Sequence, residues 1–374
     1  MKTSQIVNLL EQIAPPSRAE EWDNVGLLIG DRGANVRKVM LCIDLTPEVL
    51  REAVAGKVQM VMAYHPVIFK PVSRVTADSN EVVYEAARHG ISVYSMHTAL
   101  DVAQGGTNDV LADAMGLRQR RPLQPSSGPG ECKIVVFAQA EEVADIARAA
   151  FASGAGVIGN YTDCAFFGYG IGSYAGGPGS NPTIGQPGES EVVEEVRLEL
   201  ICPPRRVADV CRAIRMAHSY EAPAIDVYHL SGAGADCGMG RIGTLRRPVT
   251  VATLISRVKK ATGVKRVLLA ARPRPTAGSG SGKGGLVSVV ACGAGACGGL
   301  WKTALKGGAA FYLTGEMRHH DALAATNAGL TVVCVGHSNS ERITMAALAK
   351  RIAAAIPKLK VTVSKLDRDP FEIV

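Results

Sequence analysis

A chain of 374 residues exceeds the size at which one hydrophobic core stops growing, so two domains are expected. Apolar residues at 47% and charged residues at 20% exclude an intrinsically disordered chain. The formal charge of +7 is spread over short clusters such as Arg118/Arg120/Arg121 and Lys259/Lys260; with 5% aromatic residues and no basic stripe, this argues against dedicated nucleic-acid binding while favouring approach of a small anion.

The opening segment MKTSQIVNLLEQIAPPSR reads as an amphipathic helix over residues 4–13, without the apolar run or cleavage site of a secretory signal. The longest apolar runs, VQMVMAY and LTVVCV, fall far short of the roughly 20 residues that a membrane span requires. The reading is a cytoplasmic protein with no membrane partner. Nine cysteines, an odd count without C-x-x-C pairs and with Cys42, Cys202, Cys211, Cys292 and Cys334 in apolar runs, read as buried free thiols.

RKVMLCIDL, VQMVMAYH and ISVYSMH read as strands, separated by the helices PEVLREAVAG and EVVYEAARHG. This alternation predicts parallel pairing with crossover helices, a layered α/β domain. RRPLQPSSGPG at 120–130 then marks a linker. Beyond it, the strand KIVVFAQ, the helix EEVADIARAAFASG, a Gly/Pro-rich loop, the strand EEVRLELICP, the helix RRVADVCRAIRMAHS and the closing strand AIDVYHL follow the split βαβ, ferredoxin-like pattern. From about residue 240 the α/β alternation resumes with the helix VTVATLISRVKKATG, the strands VKRVLLAA, LVSVVAC, AAFYLTG and LTVVCVG, and the helix ERITMAALAKRIAAAI. The simplest architecture is an outer α/β domain split by an α+β insertion.

Apolar strands end repeatedly on groups able to bind metal: His65, then His97 with Asp101, then Glu316, His319 and His320, then His337 with Glu341. Ligands of open α/β sheets gather beyond the carboxyl ends of the strands, so these side chains are expected to converge. His337 and Glu341, four apart, share one face if the last helix starts promptly. One such histidine is ordinarily a hydrogen-bonded loop residue; repetition over several strands favours metal. The expected ligands are His65, Asp101, His337 and Glu341, with His97, Glu316, His319 and His320 in supporting or substrate roles. Mixed imidazole and carboxylate ligation suits zinc, manganese, iron or cobalt. Two divalent ions sharing one carboxylate would make a hydrolytic centre.

Two glycine segments lie near these strand ends in the sequence. GSGSGKGG at 278–285 has the wrong spacing for a P-loop and no Ser/Thr after Lys283. Gly293, Gly295 and Gly298 have G-x-G-x-x-G spacing, but only two helical turns follow, so no dinucleotide cofactor is expected. That turn serves either a substrate phosphate or tight packing.

WDNVGLLIGD at 22–31, AYHPVIFKP at 63–71, HTALD at 97–101, GEMRHHDAL at 315–323 and GHSNSE at 336–341 together resemble the Nif-three-like family, the GTP cyclohydrolase I type 2 homologues. The resemblance spans essentially the whole chain. It implies an α/β core with a dinuclear divalent-metal site, a homohexamer built from trimers, and an inserted domain similar to nitrogen-regulatory and CutA-like folds. The core then comprises residues 1–127 and 241–374, and the insertion 128–240. By position, His65 and His337 would hold one metal, Asp101 the other, and Glu341 would bridge. Many bacterial members have His-His-Pro where this chain has Tyr64-His65-Pro66, so the Asp101-side ion lacks its imidazole and is expected to be weak or labile. A phenol with a reference pKa near 10 is a poor substitute.

The implied activity is metal-dependent hydrolysis of a small nucleotide-like substrate such as GTP, with His97 or His320 moving protons. Two rivals use the same residues. One is a non-enzymatic regulator or adapter, since family members have been described as partners of transcription factors; the other is a dinuclear phosphoesterase.

Overall fold

A computed structural model describes residues 1–125, 131–158, 161–230, 237–271 and 285–372. The chain forms two compact units, Met1–Ser126 with Gly234–Val374, and Ser127–Ala233. The 127/128 boundary read from the sequence and residues 278–284 of the GSGSGKGG segment lie outside the described residues.

The larger unit is mixed α/β and contains two large sheets. The first runs in the order Gly26–Ile29, Ser92–Ser95, Met60–Ala63, Lys38–Cys42, Lys360–Val363. All its neighbours are parallel except the pair Gly26–Ile29 with Ser92–Ser95. The run MVMA is buried at every position, as a strand covered on both faces requires. The edge strand Gly26–Ile29 falls in WDNVGLLIGD, where no strand was expected; its half-burial hides it from a periodicity test. The second sheet runs Leu268–Ala270, Thr331–Cys334, Phe311–Thr314, Leu286–Gly293, Arg241–Thr250, Leu117–Arg121. Its three central strands, Leu286–Gly293, Phe311–Thr314 and Thr331–Cys334, are parallel, and the outer pairs are antiparallel.

The helix His337–Ala355 contributes to both cores. Met345, Leu348 and Ile352 join the apolar cluster of the first sheet, and Ile343 packs against that of the second. One helix is therefore shared, and its N-terminal turn is fixed with respect to strand ends from both sheets.

A buried ion pair ties the second sheet to the first turn of the helix Thr107–Met115. Arg241 directs Nε and Nη2 to the two oxygens of Asp109 at 2.8 and 2.9 Å, and donates to the carbonyls of Gly238, Gly240 and Ala103. A guanidinium this deeply buried is tolerable because its donors find acceptors.

In the smaller unit the strands Cys132–Ala138, Ala165–Ala175, Ser190–Cys202 and Ile225–His229 alternate with the helices Val143–Ala152 and Val207–Ala217. They form one antiparallel sheet, in the order Ile225–His229, Cys132–Ala138, Ser190–Cys202, Ala165–Ala175. Ala165–Ala175 corrects the Gly/Pro-rich loop reading. It pairs in unbroken register from Ala165 opposite Leu200 to Ala175 opposite Ser190. No position in it is fully buried, so backbone pairing, invisible to an apolar pattern, makes it a strand. Among the described residues, no helix is long and apolar enough to cross a membrane.

Candidate metal centre

His65 follows the strand Met60–Ala63 of the first sheet, while His337 opens the long helix directly after Thr331–Cys334 of the second. Because that helix begins at His337, its fourth-following residue, Glu341, returns to the same face. His337 Nε2 lies 3.2 Å from Glu341 Oε1, and His65 Nε2 lies 3.4 Å from Glu341 Oε2. The imidazole rings stand 5.6 Å apart, and the three ligand atoms all fall within 4.8 Å of one another.

Each of these imidazoles is oriented by an acid on its other nitrogen. Asp44 Oδ1 is 2.8 Å from His65 Nδ1, and Glu316 Oε1 is 3.1 Å from His337 Nδ1. A carboxylate on Nδ1 turns Nε2 toward the centre and strengthens it as a donor, the usual support of a metal-binding histidine. Asp44 was not foreseen, although it stands just past the strand Lys38–Cys42 and the same strand-end rule would have found it.

The donor set fits one divalent ion. Glu341 is 2% exposed, and its Oε2 makes no hydrogen bond despite its burial. A buried carboxylate with one orphaned oxygen, set between two imidazole nitrogens, is a site for positive charge. In the absence of an ion, protons take that role: the hydrogen bond and charge of Glu341 raise His337 to about 9. His65 is also raised, with burial opposing and the Asp44 hydrogen bond and Glu341 charge prevailing. Gly295 leaves room beside the carboxylate; a Cβ there would stand 2.4 Å from Glu341 Oε1. Gly298 likewise approaches the backbone of Glu316 and Met317 too closely for a side chain. Close approach thus explains these glycines, and the helix after them, Trp301–Lys306, has only six residues.

Asp101 does not join the triad. It lies buried in the short helix His97–Val102, and its Oδ1 accepts a short hydrogen bond from the Tyr64 hydroxyl, which also lies 3.3 Å from Thr107 Oγ1. Burial and the neighbouring Glu341 charge push Asp101 up to about 7. Tyr64 is raised well above the ordinary phenol value by burial and by the charges of Asp101 and Glu341, so it stays protonated and donates. Among the described residues Asp101 therefore stands outside the His65/His337/Glu341 cluster, with one oxygen engaged by the Tyr64 phenol.

His97 stands at the edge of the triad, its ring 5.2 Å from that of His65. Its Nδ1 is held by Asp23 Oδ1 at 2.7 Å, and Asp23 Oδ2 also accepts from the Thr98 backbone and hydroxyl. The Asp23 contact, like that of Asp44, escaped the sequence reading. His319 and His320 are exposed at the start of the helix His319–Asn327, and their rings meet edge-on with centroids 5.2 Å apart. Among the described residues neither contacts the triad.

The mixed α/β chain thus sets a carboxylate between two acid-supported imidazoles, one from each sheet, and this triad is its candidate metal site. The chain belongs to the Duf34/NIF3 (NGG1p interacting factor 3) family, whose model matches residues 1–370. A Listeria innocua protein named GTP cyclohydrolase 1 type 2 homolog is 33% identical over 97% of this chain and 96% of its own. A Bacillus subtilis protein of the same name is 33% identical, covering 98% and 97%. The solved structure of a Bacillus cereus protein related to NIF3 is 32% identical, with a TM-score of 0.70 over 100% of this chain and 99% of that one.

Proposed function

We propose that His65, His337 and Glu341 hold a divalent ion, and that the chain is a metal-dependent hydrolase of a small nucleotide-like substrate. The observation that carries this reading is the buried Glu341 carboxylate, with one oxygen unsatisfied, between two imidazoles each supported by its own acid. A bound divalent ion supplies the Lewis acidity that hydrolysis of an unreactive bond needs. His97 is a better proton carrier than His320: Asp23 fixes its Nδ1, which leaves Nε2 to take or give a proton beside the triad. His320, exposed and outside the cluster, receives no role.

The relatives' name supports a GTP cyclohydrolase type 2-like activity as the specific form of this proposal. The Asp101 side is read as weak or labile toward an ion because Tyr64 engages it. The smaller unit is read as a ferredoxin-like, nitrogen-regulatory or CutA-like insertion, supported by its βαββαβ element order and antiparallel sheet. A cytoplasmic homohexamer of trimers completes the proposal.

The test is turnover of a nucleotide panel by metal-reconstituted protein, with product masses recorded and Glu341→Ala as control. Ring-opened GTP lost in the variant supports the cyclohydrolase form. Phosphate release moves the assignment to a phosphoesterase. No turnover with zinc, manganese, iron or cobalt leaves the adapter reading.

A further inference from the structure

The residues beside the triad include two large aromatic side chains that face solvent. Trp22 is 59% exposed and Phe69 is 48% exposed, and their rings lie 5.9 Å apart with their planes open at 54°. Exposed tryptophan normally finds an apolar partner, because its large ring loses more than most side chains by facing water.

This pair is held in place by its neighbours. Asp23, next to Trp22, is spent on His97 and Thr98, and Asn24 Nδ2 donates to the Ile68 carbonyl at 2.5 Å, beside Phe69. The backbone carrying Trp22 is thereby fastened both to the His97 turn and to the segment carrying Phe69. The rings are exposed but preorganised, which lowers the ordering cost of binding. The pair is also continuous with the triad: Trp22 meets the His97 ring edge-on at 5.9 Å, and His97 meets His65 at 5.2 Å. Two ring-to-ring steps separate Trp22 from a triad imidazole, the scale of a nucleoside.

We infer that Trp22 and Phe69 form a stacking subsite for the planar heterocyclic base of the substrate, whose remaining part reaches the triad past His97. The inference rests on the reading of the triad as the reaction centre and adds what is recognised there. An aromatic face accepts any base, so this subsite selects for a flat ring without choosing among purines. Trp22 and Phe69 are positioning residues, since they touch the base and not the reacting atoms.

The test uses the full-length, metal-loaded protein with GMP and its base-free counterpart, ribose 5-phosphate. GMP should quench tryptophan emission saturably, because Trp22 is exposed whereas the second tryptophan, Trp301, is buried. In calorimetry, Trp22→Ala should weaken GMP binding about 5- to 150-fold, the effect of losing one base stack. Trp22→Phe should recover most of that loss, and neither variant should alter the binding of ribose 5-phosphate. GMP binding insensitive to Trp22→Ala, or ribose 5-phosphate binding as tightly as GMP, overturns the inference. So does a Trp22 shielded from acrylamide in the free protein, which would assign the pair to contact between copies of the chain. Metal content and its loss in Glu341→Ala, measured on the same preparations, report on the ion separately. An ion without Trp22-dependent binding removes the subsite alone, and Trp22-dependent binding without an ion removes the reaction-centre reading alone.

Discussion

Replacing Tyr64 with histidine should convert a one-ion site into a two-ion site. In the native protein the phenol donates to Asp101, so one oxygen of that side chain is engaged. Tyr64→His removes the phenol and supplies a nitrogen donor at the same backbone position. Without metal the variant should be less stable, because a hydrogen bond to a charged acceptor contributes about 1.5–3 kcal/mol and Asp101 remains buried. With metal the sign reverses: an ion present at 100 times its dissociation constant adds about 2.7 kcal/mol. Elemental analysis of protein purified without chelator should give one tightly held equivalent per chain in the native protein and two in the variant. Thermal denaturation should show the variant melting earlier when stripped of metal, with the gap narrowing or closing on zinc addition. Two tight equivalents in the native chain, or only one in Tyr64→His, would refute the account of Asp101.

Three further outcomes follow from the same geometry. Asp44→Asn and Glu316→Gln each remove an acid from the Nδ1 of a triad histidine and should weaken metal binding about 10- to 100-fold, read by competition with a fluorescent zinc chelator; an unchanged affinity would deny these acids their supporting role. In the metal-free protein His337 keeps its proton up to about 9, so metal uptake must expel it, and apparent affinity should rise about tenfold per pH unit up to that point. The accompanying proton release is measurable with buffers of different ionisation enthalpy. The sign for stability is the opposite: a raised histidine stabilises the metal-free fold below the unfolded value of about 6.5 and loses that contribution as pH climbs through about 9. Arg241→Ala removes the bidentate partner of Asp109 but leaves Arg120 at 3.0 Å, and should cost about 1.5–3 kcal/mol in urea denaturation, with metal content per folded chain unchanged.

The strand ends were legible because buried parallel strands leave long apolar runs, and the polar residue that breaks each run stands at the sheet's carboxyl edge. His65 and His337 were found in this way, and Glu341 by its helical spacing from His337. What Asp101 touches was not legible, since the Tyr64 hydroxyl reaches it through tertiary packing that no spacing records. His320 has the residue type of a proton carrier but sits on an exposed turn, and only coordinates distinguish that turn from the His97 turn. Asp23 escaped for another reason: isolated acids are common on surfaces, and nothing local marks it as the partner of a histidine, whereas Asp44 was hidden inside the longer run RKVMLCIDL although the strand itself ends at Cys42. In the smaller unit Ala165–Ala175 escaped because glycine at alternate positions erases the apolar alternation, although its backbone pairs fully.

The first sheet is completed by residues from opposite ends of the chain: Lys360–Val363 pairs in parallel with Lys38–Cys42, residue 360 opposite residue 38. During synthesis, the strands leading to Asp44 and His65 therefore leave the ribosome long before the strand that covers their open edge. Until then an apolar parallel sheet must wait with an unpaired side, the circumstance in which nascent chains aggregate or need a chaperone. Pairing across so many residues also places this chain among slow folders. Since His337 and Glu341 arrive only shortly before that final strand, the proposed cation site is completed in the last stage of folding, and an ion encountered early would meet only His65 of the three residues.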